Sequence, residues 1–166
     1  MSGQEQPQPV RGMRIRQYVY FGLWSDTLTA AAITQILKLS PDATSVRGSL
    51  HLDPPRPPHH GWTLECRRNE LRIDEQIAHV LTRVRPIADR IKPLTLTGDV
   101  TAALSIVRYF DDEAGEPERI GTIELPDGES VIKLAGQHQL LGWHIEPADL
   151  QLLALLHADL DVDEYN

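Results

Sequence analysis

Residues 14–24 read RIRQYVYFGLW, a run in which apolar side chains alternate with aromatic and basic ones. One alternate set contains Ile15, Val19, Phe21 and Leu23, and the other contains Arg14, Arg16, Tyr18, Tyr20 and Trp24. A period of two with β-branched and aromatic residues is typical of a β-strand. We therefore predict a strand with one core face and one cationic, aromatic face, which is a candidate binding surface for rings or bases.

The same patterns predict helices and strands along the rest of the chain. Thr29 is expected to cap a short helix that carries Ile33, Ile36 and Leu37 and ends before Pro41. Asp74 is expected to cap a second helix, which Pro86 should kink or split. Further strands are predicted near 46–50, at 62–67, at 99–110 and at the end of the chain. A hairpin is predicted around 126–128, a possible strand at 140–145, and a last helix from Pro147.

This order of elements favours an α+β domain. We expect a mainly antiparallel sheet with helices packed on one face, and two strand–helix–strand units suggest a ferredoxin-like arrangement. Residues 1–13 are polar at their start and predict a flexible N-terminal arm, which leaves residues 14–166 as a single domain.

Composition limits the class of protein. The chain has 166 residues, of which 41% are hydrophobic and 24% charged, as in ordinary globular domains. Its apolar runs are all shorter than the roughly 18 residues of a membrane span, so no membrane association is expected. One cysteine, Cys66, excludes a disulfide framework, and no signal-like stretch is visible. We therefore expect a cytoplasmic protein.

The charge is distributed unevenly. Residues 1–98 carry a net charge of +4 and residues 99–166 a net charge of −12, for a total of −8. The acidic half could recruit a basic protein partner, attract the basic half during folding, or consist of solvated loops and tail. Duplex nucleic acid is not expected as a partner, because its binding requires the neutralisation of phosphates by Lys and Arg.

The loop at 51–60 holds the candidate metal ligands. His51, His59 and His60 lie near one another in sequence with Asp53 between them, and imidazole and carboxylate groups suit zinc or iron. The spacing matches no familiar metal motif, and exposed loop histidines explain the same pattern. No catalytic residue is assigned, because the chain has no nucleophile elbow, phosphate loop or dinucleotide fingerprint.

Several segments resemble the bacterial family known as domain of unknown function forty-two seventy-nine. The resemblance rests on the strand at 18–23, on Leu28-Thr29, and on residues 33–39 followed by Pro41-Asp42. It rests further on Gly61-Trp62, on the helix start at Ile73-Asp74 with Pro86, and on the closing helix that leads into residues 160–165, which end in Asp163-Glu164-Tyr165. It covers roughly residues 14–166, and it departs from the family at the proline-rich 53–58 and the acidic 111–118. The resemblance implies a small intracellular α+β domain and no assigned activity.

Three functions remain open after this reading. The first is a non-enzymatic intracellular module that binds a ligand or protein through Arg14, Arg16, Tyr18, Tyr20 and Trp24, with a basic protein as the expected partner. Instead of forming a binding surface, these aromatic side chains could pack beneath helices or against a second subunit. The alternative is a small metal-dependent enzyme or metal-binding protein that uses the 51–60 histidines. Apart from such a metal, the sequence indicates no cofactor. A self-associating domain, such as a homodimer, is the third.

Overall fold

The computed structural model describes residues 13–50, 56–117, 122–132 and 142–166. The predicted arm lies outside these residues except for Met13. The described helices are α1 (Ala30–Leu37), α2 (Ile73–Val84), α3 (Ala88–Leu96) and α4 (Pro147–Leu155). The described strands are β1 (Arg14–Ser25), β2 (Ala43–Ser45), β3 (His60–Cys66), β4 (Thr101–Phe110), β5 (Glu116–Pro117), β6 (Thr122–Glu124), β7 (Ser130–Ile132) and β8 (Ala158–Tyr165).

The main sheet has the strand order β2-β3-β1-β4-β8, and the short β5 pairs with the start of β1. β1 is antiparallel to both β3 and β4, and β2 is antiparallel to β3. β8 is parallel to β4. The predicted α+β class with a mainly antiparallel sheet is therefore confirmed, and the last strand is the parallel exception.

Two interleaved strand–helix–strand units form the centre of this sheet. β3 lies between β1 and β2, so the unit β1-α1-β2 is split by a strand of the second unit. The second unit, β3-α2-α3-β4, is split by β1 in the same way. This split pairing is the ferredoxin-like arrangement. The segment α4-β8 then adds one further strand beside β4.

The helices cover one face of the sheet. Alternate residues of β1, β3 and β4 share a single buried cluster with residues of all four helices. Its strand members include Phe21, Trp62 and Leu104, each fully buried. Burial of side chains of this size is the main source of free energy for such a fold. None of the described helices is long and apolar enough to span a membrane.

The first helix begins where the sequence predicts. The Thr29 side chain accepts a hydrogen bond from the Ala32 N–H at 3.2 Å, which satisfies a free amide of the first turn. The predicted cap of α2 is wrong, since the helix begins at Ile73 and Arg72 occupies the cap position. There the Glu75 carboxylate accepts from the Arg72 N–H at 2.8 Å, and Asp74 lies in the first turn.

Pro86 splits the helical region, as predicted. α2 ends at Val84, a 3₁₀ turn occupies Arg85–Ile87, and α3 follows from Ala88. Proline has no N–H to continue the α-helical hydrogen bonds, and its ring disturbs the preceding turn. The interruption lets two short helices pack on the same curved sheet.

Two strand predictions need correction. The strand expected near 46–50 lies instead at Ala43–Ser45, because the chain turns at Gly48, whose φ is 72°. Residues 142–145 of the possible strand at 140–145 have no strand structure, and 140–141 lie outside the described residues. The predicted hairpin is confirmed as β6-β7, with Gly128 at a φ of 85° in its turn.

Ion pairs connect the basic and acidic parts of the sequence. Arg16 Nε lies 2.7 Å from Asp112 Oδ2, and Arg85 Nη2 lies 2.5 Å from Asp149 Oδ1. Each pair joins a residue before Gly98 to one after it. Some of the basic groups of the first part and acidic groups of the second part therefore neutralise each other within the fold.

Asp42 fixes α2 to the β2-β3 hairpin and provides a test by pH. Its carboxylate accepts hydrogen bonds from Arg83 Nη1 at 2.5 Å and Nη2 at 3.0 Å, and from the Glu65 N–H at 2.7 Å. The Arg83 guanidinium, and then the Glu65 amide, hold the pKa of Asp42 below its ordinary value of 3.8. A carboxyl group whose pKa is lower in the folded state than in the unfolded state stabilises the fold at pH values above its unfolded-state pKa. This stabilisation is lost as the pH falls through its folded-state pKa.

We expect Asp42→Asn to lower the free energy of unfolding by about 1 kcal/mol at neutral pH, because the partly exposed pair is screened by solvent. The difference from the natural protein should disappear as the pH falls below 3.8. Urea unfolding across this pH range measures both values. The exposed Glu113→Gln makes the same change of charge without a described ion pair, and it should follow the natural protein. A constant difference between Asp42→Asn and the natural protein at all pH values would contradict the assignment.

Candidate functional site

The predicted cationic, aromatic set of β1 lies on the face of the sheet opposite the helices, which we call the outer face. Tyr18, Tyr20 and Trp24, the aromatic row, point away from the buried cluster formed by their neighbours. Their side chains are partly buried, and no described helix covers them. Packing beneath helices, one of the open readings, is therefore wrong for these rings. The row runs down the middle of the sheet, since β3 and β4 flank β1.

The three rings are in contact with one another. Tyr18 and Tyr20 have ring centres 6.2 Å apart and are stacked, with 26° between their planes. Tyr20 and Trp24 have ring centres 6.4 Å apart and meet edge to face at 76°. Both arrangements are favoured by the charge distribution of aromatic rings. The result is a continuous aromatic surface along the strand.

Two glycines make room for the Trp24 indole. A Cβ atom at Gly22, two residues earlier on the same face, would overlap with the far end of the Trp24 ring. Gly61 of β3 is paired with Trp24 across the strands, and a Cβ there would lie 3.4 Å from its Cδ1 and 2.5 Å from Ser45 Oγ. The indole therefore lies over the backbone of β1 rather than standing upright on it. Glycine within a strand often marks such a close approach.

The aromatic row forms the floor of a cleft of about 380 Å³, the aromatic cleft. One wall comes from β2, with Thr44 and Ser45, and another from the loop before β3, with Pro57 and Pro58. The volume is in the range of small-molecule and peptide-side-chain pockets. The lining is largely apolar, with hydroxyl groups at its wall. Such a surface suits non-covalent binding.

A charged pair closes one end of the cleft. The Arg67 guanidinium carbon lies 4.1 Å from the centre of the Tyr18 ring, and Arg67 Nε lies 2.5 Å from Glu65 Oε2. Hydrogen bonding to Glu65 raises the pKa of Arg67 above its ordinary value, so the guanidinium stays charged. Burial raises the pKa of Tyr18, so this phenol stays neutral at physiological pH. The two opposite charges leave this end of the cleft without net charge.

The two arginines of the predicted face lie outside the aromatic cleft. Arg16 lies with its guanidinium carbon 3.9 Å from the centre of the Tyr109 ring and pairs with Asp112. Arg14 is exposed at the start of β1, where its backbone pairs with Pro117. The structure therefore brings together three of the five predicted binding residues. Arg67 and Glu65, which the sequence reading missed, supply the charges.

Carboxylates form a second row on the outer face. Asp159, Asp161 and Asp163 of β8 are paired with Ala103, Ser105 and Val107 of β4, which lie on the outer face with the aromatic row. We call these three aspartates the acidic row. No Lys or Arg among the described residues forms an ion pair with them. The charge of Asp163, and to a smaller extent that of Asp161, raises the pKa of Tyr165. The acidic row is two strand spacings, about 10 Å, from β1.

The predicted metal ligands do not come together among the described residues. His59 Nδ1 lies 2.7 Å from Asp26 Oδ1, and this hydrogen bond lowers the pKa of Asp26. His60 Nδ1 accepts from the Arg47 N–H at 3.2 Å. Outside the undescribed stretches, no three His, Cys, Asp or Glu side chains are placed to hold a metal ion. His51, the third predicted ligand, lies outside the described residues, as does Asp53.

Comparison with protein families gives one match. The model of a domain of unknown function, DUF4279, matches residues 14–127. The chain belongs to the DUF4279 family. No curated protein and no solved structure matches it. The expected resemblance is confirmed over β1 to β6, and the match does not extend to the last residues, 128–166.

The DUF4279 match includes the whole aromatic cleft, because β1, β2, β3 and the loop before β3 lie within residues 14–127. The segment α4-β8, with the acidic row, lies beyond it. The family description assigns no activity, so no catalytic role is carried over to any residue here.

Proposed function

We propose that this DUF4279 protein is a non-enzymatic, cytoplasmic and bacterial binding module that recognises a basic protein partner through the outer face of its sheet. The observation that carries the proposal is that the aromatic row and the acidic row share this face. Aromatic side chains supply large contact areas with few rotatable bonds, and they are enriched among residues that dominate binding. The carboxylates beside them, which form no ion pair with a described Lys or Arg, would select positive charge.

The charges within the cleft support binding rather than chemistry. Glu65 and Arg67 neutralise each other at the end of the cleft, and His59 is paired with Asp26. Glu65 Oε1 accepts a hydrogen bond from the Thr63 hydroxyl at 3.2 Å, but Glu65 Oε2 is paired with Arg67, and an ion-paired carboxylate is a poor base for activating a hydroxyl. The acidic row would steer a basic partner towards the face, an effect that depends on ionic strength.

The experiment uses two fluorescent peptide pools of random sequence, one rich in Lys and Arg and one rich in Asp and Glu. Anisotropy with the full chain should show binding of the basic pool, weakened by added salt, and no binding of the acidic pool. Replacing the acidic row by asparagine (Asp159→Asn, Asp161→Asn, Asp163→Asn) should weaken binding about tenfold, since three exposed charge pairs contribute about 1.5 kcal/mol together.

A matched control removes three charges elsewhere. Asp111→Asn and Glu113→Gln lie in the acidic loop before β5, Glu116→Gln lies in β5 itself, and the three changes together give the same net charge. This variant should bind the basic pool within about twofold of the natural protein, because its carboxylates lie outside the outer-face rows. Absence of binding to the basic pool, or equal loss in both variants, would refute the proposal.

A further inference from the structure

We infer that the aromatic cleft binds a proline-rich segment of the partner in the polyproline II conformation, with Arg or Lys between its prolines. This inference rests on the proposed function and specifies the chemistry of the partner. Polyproline II is a left-handed helix without internal hydrogen bonds, and it binds aromatic grooves through its prolyl rings.

The backbone of β1 cannot pair with a bound peptide at the cleft. From Val19 to Trp24 its hydrogen-bonding edges are used by β3 on one side and β4 on the other. A segment that binds over the aromatic row must therefore contact side chains and keep its own backbone satisfied by water. A polyproline II segment meets this condition, whereas a β-strand added at this place would have unpaired amides.

The length of the aromatic row fits such a segment. Successive ring centres lie 6.2 Å and 6.4 Å apart along β1. One turn of polyproline II has three residues and advances about 9 Å. Two prolines separated by two residues lie on the same side of that helix. Both can therefore contact the row at once.

The cleft wall already contains prolyl rings of the chain itself. Pro57 is buried and Pro58 is exposed, and both line the cleft with Tyr18, Tyr20 and Trp24. The Pro57 carbonyl accepts a hydrogen bond from the Gly48 N–H at 2.9 Å, which holds this wall in place. Prolyl rings therefore already lie beside the aromatic rings of this cleft in the chain itself.

Trp24 offers a hydrogen-bond donor to the segment. Its indole Nε1 donates to no residue in the part of the chain that the structure describes, in contrast to Trp62, whose Nε1 donates to Thr34 Oγ1 at 3.1 Å. Partly buried indole N–H groups usually have a partner. Proline carbonyls are exposed acceptors in polyproline II, because no internal hydrogen bond uses them.

Charge complementarity determines the residues between the prolines. The acidic row lies about 10 Å from β1, across the small side chains of Ala103 and Ser105. An Arg or Lys side chain that leaves a segment lying over β1 can span this distance. Its charge would then pair with carboxylates for which no described Lys or Arg is a partner.

The test compares three short labelled peptides by fluorescence anisotropy with the full chain. The first repeats Pro-Pro-Arg, the second replaces each proline by alanine, and the third replaces each arginine by glutamate. We expect the first to bind at least about tenfold more tightly than the second, because proline reduces the cost of ordering the segment. The third should not bind.

Variants locate the contact. Trp24→Leu should weaken binding of the Pro-Pro-Arg peptide about tenfold, and Trp24→Phe about threefold through loss of the indole N–H. Gly22→Ala keeps every ring of the aromatic row, but the added methyl group displaces the Trp24 indole. This variant should therefore weaken binding as Trp24→Leu does. Trp143→Phe makes the same exchange outside the cleft and should bind as the natural protein does. Circular dichroism and thermal unfolding establish that each variant is folded.

The outcomes separate the inference from the proposed function. Equal binding of the proline and alanine peptides, or no effect of Trp24→Leu and Gly22→Ala, overturns the polyproline inference and leaves a basic partner in place. Failure of every arginine peptide to bind overturns both. Tighter binding of the proline peptide with loss in the Trp24 and Gly22 variants supports both.

Discussion

Trp62→Ala is expected to lower the free energy of unfolding by about 3 to 5 kcal/mol. Trp62 lies in the middle of β3, is fully buried, and packs in the cluster between the sheet and the helices. Its removal loses the largest side chain of the core and leaves a cavity that the paired strand cannot close. Loss of this size is a large fraction of the stability of an ordinary domain.

Urea unfolding followed by circular dichroism measures this loss. Trp62→Phe keeps most of the packing and removes the hydrogen bond to Thr34 Oγ1, so it should cost about 1 to 2 kcal/mol. Thr34→Val leaves the indole N–H without this acceptor and should cost a similar amount. A Trp62→Ala protein within 1 kcal/mol of the natural one would show that the core is packed differently.

Glu164→Ala is expected to lower the free energy of unfolding by about 2 to 3 kcal/mol. Arg108 is 2% exposed, and its Nη1 lies 2.9 Å from Glu164 Oε1. The pair joins β4 to β8, where these residues lie opposite each other in the parallel register. Removal of the carboxylate leaves a buried guanidinium without one of its charge partners, which costs more than the loss of an exposed pair.

The double variant Arg108→Met with Glu164→Leu provides the comparison. Replacement of a buried pair by apolar side chains is often close to neutral, so the double variant should be more stable than Glu164→Ala. Thermal unfolding of the natural protein, the single variants Arg108→Met and Glu164→Leu, and the double variant completes the cycle. If the double variant is the least stable of the four, the charge pair contributes net stability and our expectation is wrong.

Local patterns in the sequence predicted most elements of this fold. Three of these patterns act only on the neighbouring backbone: the alternation in 14–24, the threonine at the start of α1 and the proline within the second helical region. A short stretch of sequence is therefore enough to predict their effect. The cap of α2 failed for a related reason. Asp74 has a capping side chain, but Glu75 reaches back to the Arg72 amide and fixes the start two residues earlier.

The neighbours of each strand could not be predicted in the same way. Pairing of β4 with β8 joins residues more than 50 positions apart, and the local sequence of β8 contains no information on its parallel direction. Likewise, the spacing of Leu150, Leu153 and Leu156 predicts that these three face inward, but Leu150 is exposed while Leu152 is buried beside Leu153. An apolar helix with leucines on several sides has no single face that periodicity can select.

Half of the candidate site was visible in the sequence. The aromatic row follows from alternation in one strand, whereas the cleft needs the loop with Pro57 to return to Tyr18. One signal was available and was not used. Gly22 interrupts an otherwise aromatic face, and glycine in a strand marks a close approach of some other group, here the indole two residues later.

The addition of β8 beside β4 separates the origins of the two elements of the proposed binding surface. The rings lie in the segment that matches DUF4279, and the carboxylates lie in the segment that follows it. Under the proposed function, substitutions on β8 would therefore change which charge a partner must carry while the ring-lined cleft stays the same. Sequence changes in this last strand could in that way redirect the protein to a new partner without a new fold.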